Sequence, residues 1–350
     1  MATTSRARLR MDNVTHTLTG IALSQAGLKR KTRFALLALI IGSNLPDIDV
    51  LASAGRGGVA YLKYHRGITH SLIGLTALAI LLALAIWGAG RRAKQKSIPM
   101  NLKWLFLICW IATACHVLMD YTNSYGIRPF LPFSGRWHAL DITPLIDPYM
   151  LLFLILGLGI PAVLGIAAKE MGAAKRSSTA GRTGAIIALC GVVATGALRG
   201  ASHHRVMRML GSYTFQQEAP TRLGAFPSAL DPFHWTAITE TREADYVFPA
   251  DSLAANLDLE SGARFLRPES SAALTAARRS PAGKVFLNFA RFPWATTVDA
   301  GENGYVVYIR DLRFASPGSE RWGFVLEVRL SPDVRVLGSS FRFSMARPFG

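Results

Sequence analysis

The chain has 350 residues, of which 50% are hydrophobic and only 17% are charged. This composition is too apolar for a disordered chain and unusual for a soluble enzyme, so we first expect a polytopic membrane protein. The net charge of +17 is uneven, because residues 1–200 contain 22 basic and 7 acidic side chains. These basic residues form short clusters between long apolar runs, which is typical of membrane-protein loops and argues against nucleic acid as a partner.

Apolar runs in residues 1–200 predict an all-α membrane domain of five to six helical segments. Three runs, at 71–90, 102–121 and 149–168, are long enough to span about 30 Å of hydrocarbon, and a weaker fourth covers 183–201. Two shorter runs upstream, at 14–27 and 34–45, predict a short N-terminal helical hairpin whose arms are each too short to cross comfortably alone. The segment after Arg10 lacks the unbroken apolar core of a signal peptide, so we expect insertion through these helices.

The basic clusters also predict an orientation. The clusters at 29–33, 91–96 and 169–182 face one side if each run crosses once, and the positive-inside rule makes that side cytoplasmic. The loops 46–70 and 122–148 and everything after residue 201 then lie on the opposite, extracytoplasmic side. Three N-terminal arginines argue against this orientation, because they would lie on the outer side: Arg6, Arg8 and Arg10.

Residues 201–350 predict a second, small β-rich domain outside the membrane. The runs 284–291, 304–310 and 322–330 are rich in β-branched and aromatic residues and are bounded by Gly, Pro, Asn and Asp, which is typical of strands. Turn-forming residues stand at 302–304 and 331–333. The expected organisation is therefore a helical transmembrane metal-site domain over 1–200 and a β-rich extracytoplasmic domain over 201–350.

Histidine and aspartate stand where the predicted helices end. Ionisable groups in or beside transmembrane helices cost several kcal/mol unless they are paired or bound to metal, which makes them candidates for a functional site. His116 and Asp120 are four residues apart on one helix face, about 6 Å apart at Cβ, a spacing that suits two ligands of one metal. The alternative is a His–Asp hydrogen bond that caps the bundle.

Two further segments bring candidate ligands to the same side. Asp47 and Asp49 follow Pro46 at the end of the second arm, although acids are also common in solvated helix-end turns. His65 and His70 precede the first long helix, with His65 on the loop and His70 at the N-terminal end of the helix. The positive helix end favours the neutral imidazole that ligates metal.

His16 is a weaker candidate, because a lone histidine on a partly apolar face is more often structural. It gains weight if antiparallel packing brings the start of the first arm beside the end of the second. Three to four histidines with three carboxylates exceed the needs of one tetrahedral site. We therefore expect one or two divalent ions, zinc first and manganese as the alternative, or one ion and a general base. Such an arrangement fits phosphoester cleavage, with Arg66 holding a phosphate oxygen.

The motifs resemble those of bacterial inner-membrane proteins of the LexA-regulated type, described as membrane-bound metal-dependent hydrolases and distantly similar to zinc-dependent phospholipase C. The resemblance covers residues 11–150 and rests on four ordered motifs: Met11-Asp12-x-x-Thr15-His16, Asn44-Leu45-Pro46-Asp47-x-Asp49, His65-Arg66-Gly67-x-Thr69-His70-Ser71 and His116-x-x-x-Asp120. It implies five metal ligands, namely His16, Asp49, His70, His116 and Asp120. It also implies Asp47 and His65 as further ligands or bases.

One departure from the phospholipase pattern bears on the number of metals. The soluble enzyme also uses its free N-terminal amine and a later His-x-x-x-Glu pair. In this chain the amine lies ten residues too early, and His138 and Asp141 form a differently spaced pair.

The sequence predicts a membrane-embedded hydrolase that cleaves a phosphoester of a lipid or envelope component with metal-activated water. Its catalytic residues would be Asp47, His65 and Arg66, and its partners the bilayer and a lipid or phosphoester substrate. The same chemistry attacks a carboxylic ester or amide. One alternative is a metal-ion or proton transporter, which predicts ligands at several depths along the helices. Another is a non-catalytic scaffold whose β domain binds a partner.

Overall fold

The computed structural model describes residues 12–92, 98–171, 179–215, 218–315 and 321–346. Several charged residues used in the orientation argument lie outside these described residues: Arg6, Arg8, Arg10, Lys94, Lys96, Lys175 and Arg176. The described chain divides into two compact units. A helical unit comprises 12–48 and 66–200, and a β-rich unit comprises 49–65 and the described residues after 201.

The α-helices of the described residues are, in chain order, α1 (Asn13–Ala26), α2 (Ala35–Gly42), α3 (Gly57–Tyr64), α4 (Leu72–Gly90), α5 (Leu102–Thr122), α6 (Pro148–Glu170), α7 (Thr179–Gly211), α8 (Ala272–Arg279) and α9 (Pro281–Phe289). The predicted helical hairpin corresponds to α1 and α2. The four longer predicted runs correspond to α4, α5, α6 and α7, and α7 is longer than expected.

Within the described residues, five helical stretches are long and apolar enough to cross a membrane: Ala35–Ser53, Leu72–Gly90, Leu102–Thr122, Pro148–Glu170 and Thr179–Gly211. The first joins α2 to a 3₁₀ segment, Leu45–Ser53. This extension corrects the prediction that the second arm is too short to cross alone. The predicted helical membrane region is confirmed.

Close packing of small residues brings the ends of several helices together in the helical unit. Buried alanines at 38, 79, 83 and 112 pack with Leu39 and Ile108 where α2, α4 and α5 meet. Small side chains of this kind let helix backbones approach closely in a membrane. The Asn44 amide donates to Thr17 Oγ1 across 2.9 Å, so the start of α1 lies beside the end of α2, as antiparallel packing predicts.

The β-rich unit contains two four-stranded antiparallel sheets, ordered β1-β2-β3-β4 and β5-β6-β7-β8. Their strands are β1 (Arg222–Pro227), β2 (His234–Glu240), β3 (Ala244–Asp251), β4 (Ala263–Leu266), β5 (Pro293–Asp299), β6 (Tyr305–Asp311), β7 (Arg321–Leu330) and β8 (Val336–Ala346). The predicted strands at 304–310 and 322–330 are confirmed as β6 and β7. Gly304, at φ 84°, makes the predicted turn before β6.

The predicted strand at 284–291 is wrong, because most of this segment lies in helix α9. Ser280 accepts a hydrogen bond from the backbone N–H of Gly283, and Pro281 occupies the first turn, which together start a helix. The buried residues Ala282, Phe286 and Phe289 recur every three to four positions. This helical period outweighs the β-branched and aromatic composition that favoured a strand.

Candidate metal centre

Four buried side chains of the helical unit point ligand atoms at one another. Asp47 follows α2, His70 precedes α4, and His116 and Asp120 stand one turn apart at the end of α5. Their ligand atoms all lie within 4.8 Å of one another, and the four side chains form a group that can hold a metal ion. His70 is 0% exposed and Asp47, the most accessible of the four, only 8%.

The distances between these atoms match the spacing of ligands around a small cation. The Nε2 atoms of His70 and His116 are 3.2 Å apart. Asp120 Oδ2 lies 3.3 and 3.4 Å from them, and Asp47 Oδ1 lies 3.5 Å from each. A cation with bonds of about 2.0–2.1 Å to four tetrahedral ligands would separate those ligands by about 3.3–3.4 Å. The cluster therefore has the dimensions of a site that can hold a metal ion.

The Nδ1 atoms of His116 and His70 each have a polar neighbour outside the cluster. His116 Nδ1 donates to the backbone carbonyl of Ser43 across 2.7 Å. A carbonyl oxygen only accepts, so the neutral ring carries its proton on Nδ1 and presents the lone pair of Nε2 to the cluster. Thr69 Oγ1 lies 3.1 Å from His70 Nδ1. Contacts of this kind orient histidines that bind metal.

Arg66 fixes one oxygen of Asp120 and leaves the other for the cluster. Its NH2 group donates to Asp120 Oδ1 across 2.6 Å, and its NH1 group donates to Asn123 Oδ1 across 2.9 Å and to the Gly126 carbonyl across 3.2 Å. Asp120 Oδ2 is buried, and no residue in the described part of the chain donates a hydrogen bond to it. An unpaired, buried carboxylate oxygen facing two imidazole nitrogens is what a metal ligand requires. We expected Arg66 to hold a phosphate oxygen, but in the structure it binds the Asp120 carboxylate.

His16 lies beside the four ligand atoms. Its ring stacks on that of His116 with 4.0 Å between centroids, and its Nε2 lies 3.7 Å from Asp120 Oδ1. Its Nδ1 is buried, and none of the described residues forms a hydrogen bond with it. The predicted ligand His16 therefore lies at the edge of the cluster, next to His116 and Asp120.

Asp49 and His65 belong to the β-rich unit, where they pair with each other. His65 Nδ1 lies 3.0 Å from Asp49 Oδ1, and the His65 ring packs against Tyr61 at 4.6 Å between centroids. The sequence placed Asp49 among the ligands and Asp47 beside them. In the helical unit, Asp47 is the carboxylate that faces His70 and His116.

A cavity of about 190 Å³ reaches the cluster from one side. Its polar wall includes His16, Asp120 and Asn123, and its apolar wall includes Leu118 and Val193. Asp12, the N-cap of α1, also lines it, and burial raises the pKa of that carboxyl above its usual range. A small polar group with an apolar substituent fits such a space.

Sequence reasoning missed the residues that support the cluster. Ser43 contributes only its backbone carbonyl, and no side-chain pattern reveals such a contact. Asn123 follows α5, and no sequence pattern indicates its bond to Arg66. A further pair, Arg199 and Asp147, is buried with 2.6 Å between Nε and Oδ2. An arginine inside an apolar run is costly unless it is paired, and that signal was available at Arg199.

The fold and the cluster define a multi-pass membrane protein with buried histidines and aspartates that can bind a metal ion. A family profile described as YdjM inner membrane protein matches residues 11–205, more than half of the chain. The chain belongs to the YdjM inner membrane protein family. The expected inner-membrane family and location are thereby confirmed, whereas hydrolase activity and similarity to phospholipase C stay predictions.

One curated relative is the uncharacterized protein YfhP of Bacillus subtilis (strain 168). It is 28% identical over 148 residues, which are 40% of this chain and 43% of that protein. The match thus spans less than half of the length of this relative. No solved structure matches the chain.

Proposed function

We propose that the protein is a metal-dependent hydrolase embedded in the inner membrane, which cleaves a phosphoester of a lipid or envelope component. The observation that carries this proposal is the spacing of the two Nε2 atoms and two carboxylate oxygens, 3.2–3.5 Å, beside a cavity that reaches Asp120. Nitrogen and oxygen donors at this spacing suit zinc, with manganese as the alternative. His70, His116 and Asp120 are the ligands we propose.

Asp47 is proposed as the general base. In the part of the chain that the structure describes, its side chain has hydrogen-bonding or ionic partners only in His70 and His116, whereas Asp120 is also held by Arg66. Catalytic zinc sites keep three protein ligands and leave one position for water. Arg66 does not hold Asp47, so Asp47 is the carboxylate that would turn to accept a proton from the attacking water. A bound metal supplies Lewis acidity, which activates water and neutralises charge on the phosphoryl group.

The cavity beside the cluster favours an amphiphilic substrate. Leu118 is 59% exposed and Val193 is 71% exposed, on helix faces that a bilayer would cover. A substrate with a polar headgroup near Asp120 and an apolar tail along Leu118 and Val193 therefore fits this cavity. His16 borders this space and could protonate a leaving group. The positive-inside rule supports a periplasmic opening for the cavity.

Turnover of generic phosphodiester and phospholipid substrates by the purified full chain, with added zinc or manganese, tests this function. Asp47→Asn should keep the metal and lose turnover, whereas Asp120→Asn should lose both. His204→Ala changes an exposed histidine and is the matched control. If Asp47→Asn also releases the metal, Asp47 is a fourth ligand and the proposed base is wrong. Metal flux into proteoliposomes without any turnover would favour the transporter.

A further inference from the structure

We propose that the helical unit carries a binding site for an anionic phospholipid at the end opposite the metal cluster. A groove of about 580 Å³ lies beside the end of α1 and the start of α7, and Ile111 of α5 also lines it. Leu23, Leu28 and Ile111 form its apolar wall. Arg30, Lys31 and Arg182 form its basic rim. Nothing in the proposed hydrolase chemistry uses these residues.

The charge around this groove is almost entirely positive. The stretches 27–34 and 179–182, which supply residues of the groove, contain five lysines and arginines and no acid. Among the described residues, Lys31 and Arg182 have no carboxylate within ion-pair distance. Lys31 and Arg182 can therefore attract the phosphate of a lipid headgroup, and basic pockets between transmembrane helices are known to bind such headgroups.

Two contacts place basic side chains at the groove. Arg182 Nε donates to the backbone carbonyl of Ala26 across 3.0 Å, which ties the start of α7 to the end of α1. The Lys31 ammonium lies over the Trp104 ring, 4.8 Å from its centroid. Tryptophan is enriched at the membrane–water interface, and Trp104 stands in the first turn of α5. The charged rim therefore lies at headgroup level.

The apolar wall distinguishes a lipid from a free phosphate. Leu23, Leu28 and Ile111 border the groove on the side of the helices, where the acyl chains of a bound lipid would lie. Inorganic phosphate gains nothing from this wall, whereas a phospholipid buries acyl-chain carbons against it. The combined chemistry favours a phospholipid with a negatively charged headgroup, such as phosphatidylglycerol or cardiolipin.

Native mass spectrometry of the full chain in detergent, titrated with phosphatidylglycerol, cardiolipin or phosphatidylcholine, tests this site. The triple variant Arg30→Gln/Lys31→Gln/Arg182→Gln should bind the anionic lipids at least about ten-fold more weakly, since each basic side chain near a membrane surface contributes measurably. The matched control Arg91→Gln/Arg92→Gln/Lys103→Gln removes the same charge outside the groove and should change affinity less than about two-fold.

A second variant keeps every charge and fills the groove. Ile111→Trp should weaken binding of the anionic lipids while metal content stays at the wild-type level, which also shows that the fold is intact. Equal losses in the two triple variants would mean diffuse attraction by the whole rim and would overturn the proposal. Unchanged binding in both, or displacement of the lipid by inorganic phosphate alone, would overturn it as well.

Discussion

The Nδ1 atom of His116 donates to the backbone carbonyl of Ser43, 2.7 Å away, across the contact between α5 and the end of α2. This one bond sets the tautomer of a candidate ligand before any metal arrives. It also makes the cluster depend on the packing of two helices as well as on its own side chains.

Metal loading should depend on pH because imidazole ligates only when it is neutral. Protons compete with the metal for the imidazole nitrogens, so metal content should fall as the pH is lowered and return when the pH is raised. Metal analysis after equilibration at a series of pH values checks this. A metal affinity that does not change with pH would show that the histidines are not ligands.

Removal of Arg66 should destabilise the helical unit, since it leaves the Asp120 carboxylate without its closest cation. Both side chains are buried, at 6% and 3% exposed, so we expect Arg66→Met to cost roughly 3–5 kcal/mol of unfolding free energy in the metal-free protein. Arg136→Met changes an exposed arginine and serves as control. Denaturant titration in detergent measures both. Added zinc should recover part of the loss, because a cation compensates the same carboxylate.

The contact of α1 with α2 should tolerate no added methyl group at Gly20. A Cβ there would overlap Ser43 Oγ and lie 2.8 Å from the Leu39 carbonyl oxygen. Gly20→Ala should therefore separate the helices, move Ser43, and lower both thermal stability and metal content. Gly88→Ala meets nothing within 4 Å and should stabilise α4 by about 0.5–1 kcal/mol. Similar behaviour of the two variants in a thermal melt would rule out this packing.

The β-rich unit should lose stability as pH rises through about 6. Burial raises the pKa of Asp245 in β3 to about 6, against the opposing effect of Arg267. The folded state then binds a proton more tightly than the unfolded state, so this contribution is full below about pH 4 and is lost above about pH 6. Amide exchange of β2 and β3 in the full chain measures it. Asp245→Asn should flatten the dependence, and the exposed control Asp333→Asn should leave it unchanged.

The helices and the candidate cluster were largely predictable, and particular residues show where prediction stopped. The bounds of α4 and α5 followed from apolar length, and the shared face of His116 and Asp120 followed from their four-residue spacing. Asp47 and Asp49 differ by two positions in one short motif, and only the 3₁₀ path of Leu45–Ser53 decides which carboxylate meets His70. The Arg199–Asp147 pair required knowledge of which helices touch, as did the carbonyl of Ser43.

Metal content of the purified full chain, measured together with the absorption spectrum of its cobalt-substituted form, shows whether the buried histidines and aspartates bind a metal ion. We predict about one tightly bound ion per chain, a tetrahedral cobalt spectrum, and loss of both in His116→Ala and Asp120→Asn but not in His204→Ala. A chain that binds no metal, or whose metal content is the same in all three variants, would show that this cluster is not a metal site.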